Sequence, residues 1–377
     1  MSNRQETVNA MVLAHLCHYN ASVAGQVYRL FGSATAAISN RHNLRDAMPE
    51  ATDRLAQMLQ ADDSEARQRA EQEADYAEQH GIATLVIGDK DYPGRLGECD
   101  DAPLLLFYKG SANLNSRRVV SIVGTRNATV YGKTLIERFV ADRKSLCPDV
   151  LIVSGLAYGV DICAHRSTLE NGMNTVAVLA HGLDDIYPSL HRDTANRMTT
   201  QGGLLTEYPT HTRPDKRNFV QRNRIVAGMS DACIVVESAA KGGGLITAGI
   251  ARSYNRDVFA FPGNVGSKYS EGCNKLIRDN AAALITSAAD FASAMGWNDD
   301  STLASARRKG IERELFPDLS EPEAKVVSTL RKNNDLQINM LSAQADIPIA
   351  QLSPILFGME MKGLIRTLAG GTYHLMG

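Results

Sequence analysis

Two arginines that flank an asparagine are the residues with the clearest chemistry in this chain. Arg222, Asn223 and Arg224 lie in the run Asn-Phe-Val-Gln-Arg-Asn-Arg-Ile-Val-Ala-Gly, which spans 218–228 and continues as an apolar helix. Guanidinium groups present forked N–H donors that match phosphate oxygens. We place Arg222 and Arg224 at a loop-to-helix start, where both reach one anion-binding pocket. The alternative is a solvated basic helix end.

Two glycine-bearing turns precede this run, and each follows an apolar strand and opens a helix. Backbone N–H groups at such a turn point toward an anion, as they do at many helix N-termini. The first turn also fits a tight strand-to-helix connection with an exposed arginine. The residues that we assign to phosphate binding in these turns are Gly124, Thr125, Arg126, Ser154, Gly155, Ala157 and Gly159.

A third glycine segment follows the apolar run 232–236. Lys241, Gly242 and Gly243 expose backbone before a helix that starts near residue 245, although the spacing is not that of a P-loop. Arg192 and Lys275 add two further cations, so both are included among the predicted phosphate ligands. Tyr158 is a candidate for base stacking, with a packing role as the alternative.

No group of residues in the chain has the spacing of a known catalytic motif. Ser154, Asp161 and His165 are a conceivable hydrolase trio, but Ser154 is not in a G-x-S-x-G elbow. Asp161 is better interpreted as a structural cap of the following helix. The six cysteines form no C-x-x-C pair, which is typical of reduced thiols in a cytoplasmic protein without a metal site. We predict no catalytic residue, no metal and no cofactor.

The charge distribution favours a polyanionic partner for the central part of the chain. Residues 111–290 hold 21 Lys and Arg against 16 Asp and Glu, a net +5, whereas the remainder carries −7. Positive charge therefore coincides with the glycine turns. No apolar run reaches the ~18–20 residues that cross a bilayer, and the N-terminus lacks a signal-peptide pattern, so no membrane partner is expected.

The order of elements predicts an α/β fold with flanking helical modules. Residues 1–80 form short helices, and 81–297 alternate strands with helices, as expected for a doubly wound, mainly parallel sheet. The polar segment 298–317 has the composition of a linker. Residues 318–377 contain three helices and a hairpin, which indicate a winged-helix domain.

The motifs taken together resemble the DNA-processing protein A (DprA/Smf) family. The matching segments follow one another through most of the chain and include Asp91-Tyr92-Pro93, Gly124-Thr125-Arg126, Ser154-Gly155-Leu156-Ala157, Gly182-Leu183-Asp184, Glu207-Tyr208-Pro209, Arg222-Asn223-Arg224, Gly244-Leu245-Ile246-Thr247-Ala248 and Phe259-Ala260-Phe261-Pro262-Gly263. The resemblance implies an extended Rossmann-like domain between an N-terminal module similar to sterile-alpha-motif helices and a C-terminal winged helix.

The same resemblance implies what the protein does. Members of the family bind single-stranded DNA without catalysis, protect incoming strands during natural transformation and load the RecA recombinase. They are typically homodimers, and the single-strand DNA-binding protein is a further expected partner. On this basis the guanidiniums and glycine turns are expected to hold the phosphate backbone with little sequence preference.

The competing interpretation is a Rossmann-type nucleotide-processing enzyme related to the phosphoribohydrolases. Those enzymes need a Pro-Gly-Gly-x-Gly-Thr loop and a nearby glutamate, whereas 241–247 read Lys-Gly-Gly-Gly-Leu-Ile-Thr.

The terminal modules are expected to contribute little to DNA binding. The turn at 19–22 lacks glycine, and Lys362 is the only basic residue in the presumed recognition helix, 348–362.

Overall fold

The computed structural model describes residues 4–146, 149–297, 319–334, 336–362, 364–368 and 372–375. These residues form two compact units, which lie within residues 1–298 and 299–377. The predicted linker, 298–317, falls outside the described residues, and the predicted division at residue 80 stays a prediction. None of the described helices combines the length and apolar character needed to span a membrane.

A nine-stranded sheet organises the first unit, in the order β1-β2-β6-β5-β4-β3-β7-β8-β9. Strands β3 to β9 are parallel, and β1 and β2 extend one edge in antiparallel fashion. The predicted mainly parallel α/β fold is therefore confirmed. The strands are β1 (Ala83–Val86), β2 (Leu105–Gly110), β3 (Arg118–Val123), β4 (Val150–Ser154), β5 (Thr175–Val178), β6 (Gly202–Thr206), β7 (Ala232–Val235), β8 (Asp257–Ala260) and β9 (Ala283–Leu284).

Continuous apolar runs form the central strands because helices cover both faces of the sheet. Val119 and Val153 face one core, whereas Val120 and Ile152 face the other. The helices that follow the third and later strands are α8 (Val130–Leu146), α9 (Val160–Glu170), α10 (Arg192–Thr200), α11 (Lys216–Gly228), α12 (Gly243–Ser253), α13 (Glu271–Arg278) and α14 (Ala288–Ala294); α7 (Gly94–Gly97) precedes β2.

The N-terminal helices pack on the antiparallel edge of the sheet and share a core with it. This core includes Leu13 and Val27 from the helices and Leu105 and Phe107 from β2. The helices are α1 (Arg4–Leu16), α2 (Ala21–Phe31), α3 (Ala34–Ser39), α4 (Leu44–Ala47), α5 (Asp53–Gln60) and α6 (Ser64–Gln79). Helix α6 exposes most of its surface but buries a stripe of alanines, because these small side chains allow α1 to approach closely.

The second unit has the winged-helix arrangement that the sequence predicts. Three helices, α15 (Glu321–Lys332), α16 (Ile338–Ala345) and α17 (Ile349–Met361), surround a core that contains Leu330, Leu341 and Leu356. The strands are β10 (Leu336–Gln337), β11 (Ile365–Leu368) and β12 (Thr372–Leu375), in the order β10-β12-β11. β11 and β12 form the expected antiparallel hairpin.

We expect Phe291→Ala to lower the free energy of unfolding by about 3–5 kcal/mol, the usual cost of removing a buried aromatic ring. Phe291 is fully buried, with ring centroids 5.6 Å from Phe139 and 5.0 Å from Phe259. Urea denaturation followed by circular dichroism measures the change. Val265→Ala is the control, because Val265 is 99% exposed and should shift the value by less than about 0.5 kcal/mol. Equal stability of the two variants would contradict the packing described here.

Candidate functional site

The order of the strands creates a crevice beside β3. From β3 the chain passes to β4, β5 and β6 on one side, and then returns to β7 and β8 on the other. Ligands of open α/β sheets bind at such a reversal, outside the carboxyl ends of the strands. The loops after β3, β4 and β7 meet there, and these are the three glycine segments that the sequence singles out.

A concavity of about 690 Å³ occupies this position. Gly124 and Arg126 after β3, Gly155 after β4 and Gly243 at the start of α12 contribute to its lining. Helix α11 forms a further wall with Phe219, Arg222 and Asn223. The lining therefore combines backbone from three loops with side chains from one helix.

Backbone hydrogen bonds fix the three loops against one another. The Thr125 amide donates to the Glu237 carbonyl at 2.7 Å, and the Val160 amide donates to the Thr125 carbonyl at 3.1 Å. Gly159 has a φ of +75°, and a Cβ there would lie 2.2 Å from the Thr125 carbonyl oxygen. Glycine is therefore required at 159 both for its backbone conformation and for the contact between loops.

The buried Glu237 carboxylate holds the loop between β3 and α8. One oxygen accepts from the Thr129 amide at 2.8 Å and the other from the Thr129 hydroxyl at 2.6 Å. Thr129 directly precedes α8, so this carboxylate satisfies an N–H group at a helix start. Glu237 thus orders the loop that carries Arg126, a role that the sequence did not suggest.

Arg222 lies at the floor of the concavity and is only 4% exposed. Its guanidinium donates to the Val178 carbonyl and rests against Gly155, where a Cβ would lie 2.1 Å from Nη1. Its Nε has no hydrogen-bond partner among the described residues. A buried, unpaired N–H is costly unless a ligand accepts from it. Arg222 therefore supports the fold and also retains a free donor.

Asp161 supplies the negative charge that Arg222 faces. Burial raises the pKa of Asp161, and the nearby Arg222 charge opposes that rise. Burial likewise lowers the pKa of Arg222, while Asp161 acts in the opposite direction. Asp161 also accepts from the Ala157 amide at 3.4 Å. The predicted helix cap is not formed, because α9 begins at Val160 with Gly159 as its N-cap. Asp161 instead neutralises an arginine and orders the second glycine turn.

An exposed cation and an aromatic ring meet at the rim. The Arg126 guanidinium carbon lies 5.1 Å from the centroid of the Phe219 ring, within cation–π range. Tyr187 lies beside Phe219 with the ring centroids 5.9 Å apart and is 44% exposed. Lys216, at the first turn of α11, adds a second exposed cation to the lining. The rim therefore offers both charge and flat apolar surface.

Helix α12 presents its N-terminus to the concavity. Its N-cap is Gly242, so no side chain caps the first amides. Gly244 also approaches the first loop closely, because a Cβ there would lie 3.1 Å from the Gly124 Cα. The uncapped amides and the helix dipole favour an anion at this wall.

Nine of the fifteen predicted ligands line the concavity, and six do not. Of the six outside the lining, two are held by contacts behind the loops. Ser154 is buried and donates to the Ile122 carbonyl at 2.6 Å, and Gly159 packs behind the first loop. The nine that line the concavity are Gly124, Thr125, Arg126, Gly155, Ala157, Arg222, Asn223, Gly242 and Gly243.

The prediction that Arg224 and Arg222 reach one pocket is wrong. Both lie inside α11, and residues two apart project from opposite sides of a helix. Arg224 forms an ion pair with Glu207 and lines a different cavity, which faces the N-terminal helices. The structure therefore assigns Arg224 to the contact between α11 and the segment that follows β6.

The remaining three cations lie outside the concavity. Arg192 begins α10 and contacts the Asp185 carboxylate at 3.2 Å. Lys241 is exposed in the turn that precedes α12, next to the lining residue Gly242. Lys275 is exposed on α13. They remain predicted backbone contacts for a strand that extends beyond the concavity.

Sequence reasoning missed Lys216, Asn127, Tyr187 and Phe219, which all belong to the lining. The basic pair at 216–217, three residues before Phe219, was an available signal for the first of them. Tyr158, the predicted stacking residue, is not in the lining. Its ring instead makes an edge contact with His191 at a centroid distance of 5.0 Å.

The described geometry does not assemble the serine, aspartate and histidine into a hydrolytic site. The Ser154 hydroxyl donates to the Ile122 backbone carbonyl, and the Nδ1 of His165 lies 2.7 Å from the Thr175 hydroxyl. Burial, reinforced by the charge of Arg222, lowers the pKa of His165 to about 3. Among the described residues, no cluster of three His, Cys, Asp or Glu side chains is placed to hold a metal ion.

The fold and its crevice define an extended Rossmann-type protein with a cationic, glycine-lined concavity. Comparison with known families is specific: residues 83–296 match the model of DNA recombination-mediator protein A, and 314–371 match the DprA winged helix domain. The chain belongs to the DprA/Smf family of DNA-processing recombination mediators.

Curated relatives match between 55% and 77% of this chain. DNA processing protein DprA of Bacillus subtilis (strain 168) is 42% identical over 213 residues, which cover 56% of this chain and 70% of the relative. The Streptococcus pneumoniae (strain ATCC BAA-255 / R6) protein is 40% identical over 207 residues, 55% of this chain and 72% of its own. Protein Smf of Escherichia coli (strain K12) is 30% identical, with 77% of each chain covered.

Two solved structures of DNA processing protein A have similar folds. The X-ray structure from Streptococcus pneumoniae has a TM-score of 0.56 and 32% identity, covering 68% of this chain and 91% of that one. The Helicobacter pylori structure has a TM-score of 0.51 and 28% identity, covering 57% and 95%. The latter describes the single-stranded DNA binding mode of the Helicobacter pylori protein.

We expect Gly159→Ala to destabilise the protein because the new methyl group meets the Thr125 carbonyl. Gly172→Ala is a matched control, since Gly172 has a similar φ of +71° with nothing within 4 Å of the added carbon. Gly172→Ala should lower the free energy of unfolding by about 1 kcal/mol through backbone strain alone. Gly159→Ala should lower it by about 1–3 kcal/mol more, because it adds the collision with the Thr125 carbonyl. Urea denaturation measures both. Equal losses would show that the loop contact contributes nothing to stability.

We also expect stability to fall as the pH drops from about 6.5 toward 3, with His165 as one cause. The folded state holds the His165 pKa at about 3, below its ordinary value of 6.5, so the unfolded chain binds the extra proton in this window. His165→Asn removes this contribution. The stability advantage of the wild type over the variant should therefore shrink between pH 7 and pH 5 in urea titrations. An advantage that stays constant would exclude a neutral, buried His165.

Proposed function

We propose that this protein is a recombination mediator that binds single-stranded DNA along the concavity beside β3. The observation that carries the proposal is the convergence of three glycine loops with Arg126, Lys216 and Arg222 around one crevice. Each of these elements suits a phosphate, and together they outline a site for a phosphate backbone.

The charge balance of the lining supports an anionic ligand. Its three cations face a single carboxylate, Asp161, which is buried beside Arg222. The exposed cations Arg126 and Lys216 remain available to neutralise phosphates. Binding of this kind releases counterions, so affinity should fall as the salt concentration rises.

The aromatic rim supports a single strand rather than a duplex. Phe219 and Tyr187 offer flat surface beside Arg126, and unpaired bases stack on such rings for about 1–3 kcal/mol each. Bases in a duplex already stack on one another and present no free face. Stacking is possible with every base, so we expect little sequence preference.

The relatives support extending this function from the family to the chain. The Helicobacter pylori structure concerns single-stranded DNA binding, and the matching family model covers the three loops and α11. We therefore extend the proposal to natural transformation, with the protein protecting incoming strands and loading RecA in the cytoplasm. A homodimer would align two concavities on one strand, and the single-strand DNA-binding protein would compete for or share it.

The proposed role is binding without catalysis. Among the described lining residues, the only carboxylate is engaged with Arg222, and the serine and histidine considered above are committed elsewhere. The chemistry available at the concavity is therefore charge neutralisation, hydrogen bonding and stacking.

We expect Arg126→Ala to weaken binding of a fluorescent poly-dT oligonucleotide by about 10- to 150-fold, because it removes a charged contact worth roughly 1.5–3 kcal/mol. Fluorescence anisotropy at low and moderate salt measures the affinity, with unlabelled duplex as competitor. Arg126 suits this test because it lies at the rim. Arg222→Ala would also leave Asp161 buried without its partner and lower stability.

Arg252→Ala is the matched control. Arg252 is exposed at the far end of α12, about 13 Å along the helix from the N-terminus that faces the concavity. It should bind as the wild type does. Wild-type affinity in a folded Arg126→Ala variant would refute the assigned site. Release of a base from nucleoside monophosphates by the wild type would instead favour the phosphoribohydrolase alternative.

RecA loading needs a separate experiment. The protein is added to poly-dT coated with single-strand DNA-binding protein, and RecA filament formation is followed by its DNA-dependent ATP hydrolysis. Faster filament formation with wild type, and a reduced effect with Arg126→Ala, is the expected result. Tight DNA binding without faster RecA filament formation would show that the protein binds DNA but does not load RecA.

A further inference from the structure

A second cavity, of about 310 Å³, lies between the N-terminal helices and the antiparallel edge of the sheet. Helices α1 and α6 form one side, and β2 with the segment after β6 forms the other. It shares no lining residue with the concavity beside β3. It is therefore separate from the proposed DNA site.

Small side chains create this space. Ala14 on α1, Ala24 on α2, and Ala66 and Ala70 on α6 line the cavity, with Phe107 of β2 opposite them. The three alanines on α2 and α6 are buried, so the space beside them belongs to the interior of the fold. A volume near 300 Å³ with apolar walls is typical of small-molecule sites.

One polar pair in the lining is already satisfied. The Glu73 carboxylate accepts from the Thr210 amide at 2.8 Å and from the Thr210 hydroxyl at 2.7 Å. Arg69 contacts the same carboxylate at 2.8 Å and donates to the Thr210 carbonyl at 2.8 Å. These groups fix the wall and leave little capacity for a ligand.

Glu207 differs, because one of its oxygens is unsatisfied. Oε2 pairs with Arg224, whereas Oε1 is buried and accepts no hydrogen bond from the described residues. Burial raises the pKa of Glu207 although Arg224 acts in the opposite direction. Oε1 has less than 1 Å² of accessible surface, so a ligand reaches it only when the carboxylate turns toward the cavity, and an N–H donor bound there would offset the cost of leaving this oxygen unmet.

We infer that this cavity binds a compact apolar molecule of one or two rings that carries an N–H or ammonium donor directed at Glu207. The size follows from the volume, and the donor follows from the free acceptor. Glu73 pairs with Arg69 and Glu207 pairs with Arg224, which leaves the negative charge of Glu65 at the lining, so a cation or a neutral donor fits and an anion does not.

Three probes that share one ring system test this selectivity on the full chain. Tryptamine carries an ammonium group, indole carries a neutral N–H, and indole-3-acetate carries a carboxylate. Tryptamine and indole should raise the melting temperature in a saturable way, because a ligand that binds only the folded state stabilises it. Indole-3-acetate should produce a smaller shift. Absence of a saturable shift with all three probes would overturn the inference.

Variants that fill the cavity locate the site. Ala66→Leu on α6, or Ala14→Leu at a half-buried position of α1, should abolish the response to tryptamine. Gln72→Leu introduces the same side chain at an exposed position of α6 and should respond as the wild type does. A full response in a folded Ala66→Leu or Ala14→Leu variant would place the probe elsewhere.

Photolabelling decides the location without any variant. Tryptamine that carries a diazirine is activated by light with the wild-type chain, and the labelled peptides are mapped by mass spectrometry. Labelling within 11–24 or 65–73 is the expected result, and excess indole should suppress it. Labelling confined to other segments would refute the site.

Discussion

The contact among the loops after β3, β4 and β7 is the constraint on which the rest of this structure depends. These loops meet because the strand order reverses beside β3, and they stay together because their backbones bond directly. Gly124, Gly155 and Gly159 stand where any side chain would collide with the neighbouring loop or with Arg222. Glycine at these positions also lets a ligand approach the backbone closely, so the packing requirement and the proposed anion site have one physical origin.

The two faces of α11 show how one helix connects different parts of the molecule. Phe219 and Arg222 face the concavity, whereas Arg224 pairs with Glu207 on the side of the N-terminal helices. Glu207 in turn lines the apolar cavity proposed as a small-molecule site. A ligand there would meet a carboxylate whose partner, Arg224, belongs to the helix that forms a wall of the proposed DNA site. The Arg224–Glu207 ion pair thus links the linings of the two proposed sites.

The buried carboxylates of Glu237 and Asp161 each order part of the concavity. Glu237 orders the first loop by accepting from Thr129, and Asp161 balances Arg222 beneath the concavity. An isolated buried carboxylate would be strongly unfavourable, so each acts through its hydrogen bonds or its paired charge. These residues differ from Arg126, whose charge lies at the rim. Glu237 and Asp161 therefore hold the shape of the site, whereas Arg126 is exposed to solvent and can contact a ligand directly.

The sequence alone determined the fold class, the alternation of strands and helices across 81–297, the winged helix and the three glycine loops, because hydrophobic periodicity and glycine spacing are local properties of the chain. It could not determine which side chains face the crevice. Arg222 and Arg224 look equivalent in the sequence, yet helix geometry sends them to opposite sides of α11. Phe219 joins Arg126 although 93 positions separate them. Only tertiary packing decides such long-range contacts, since they depend on how whole elements are oriented.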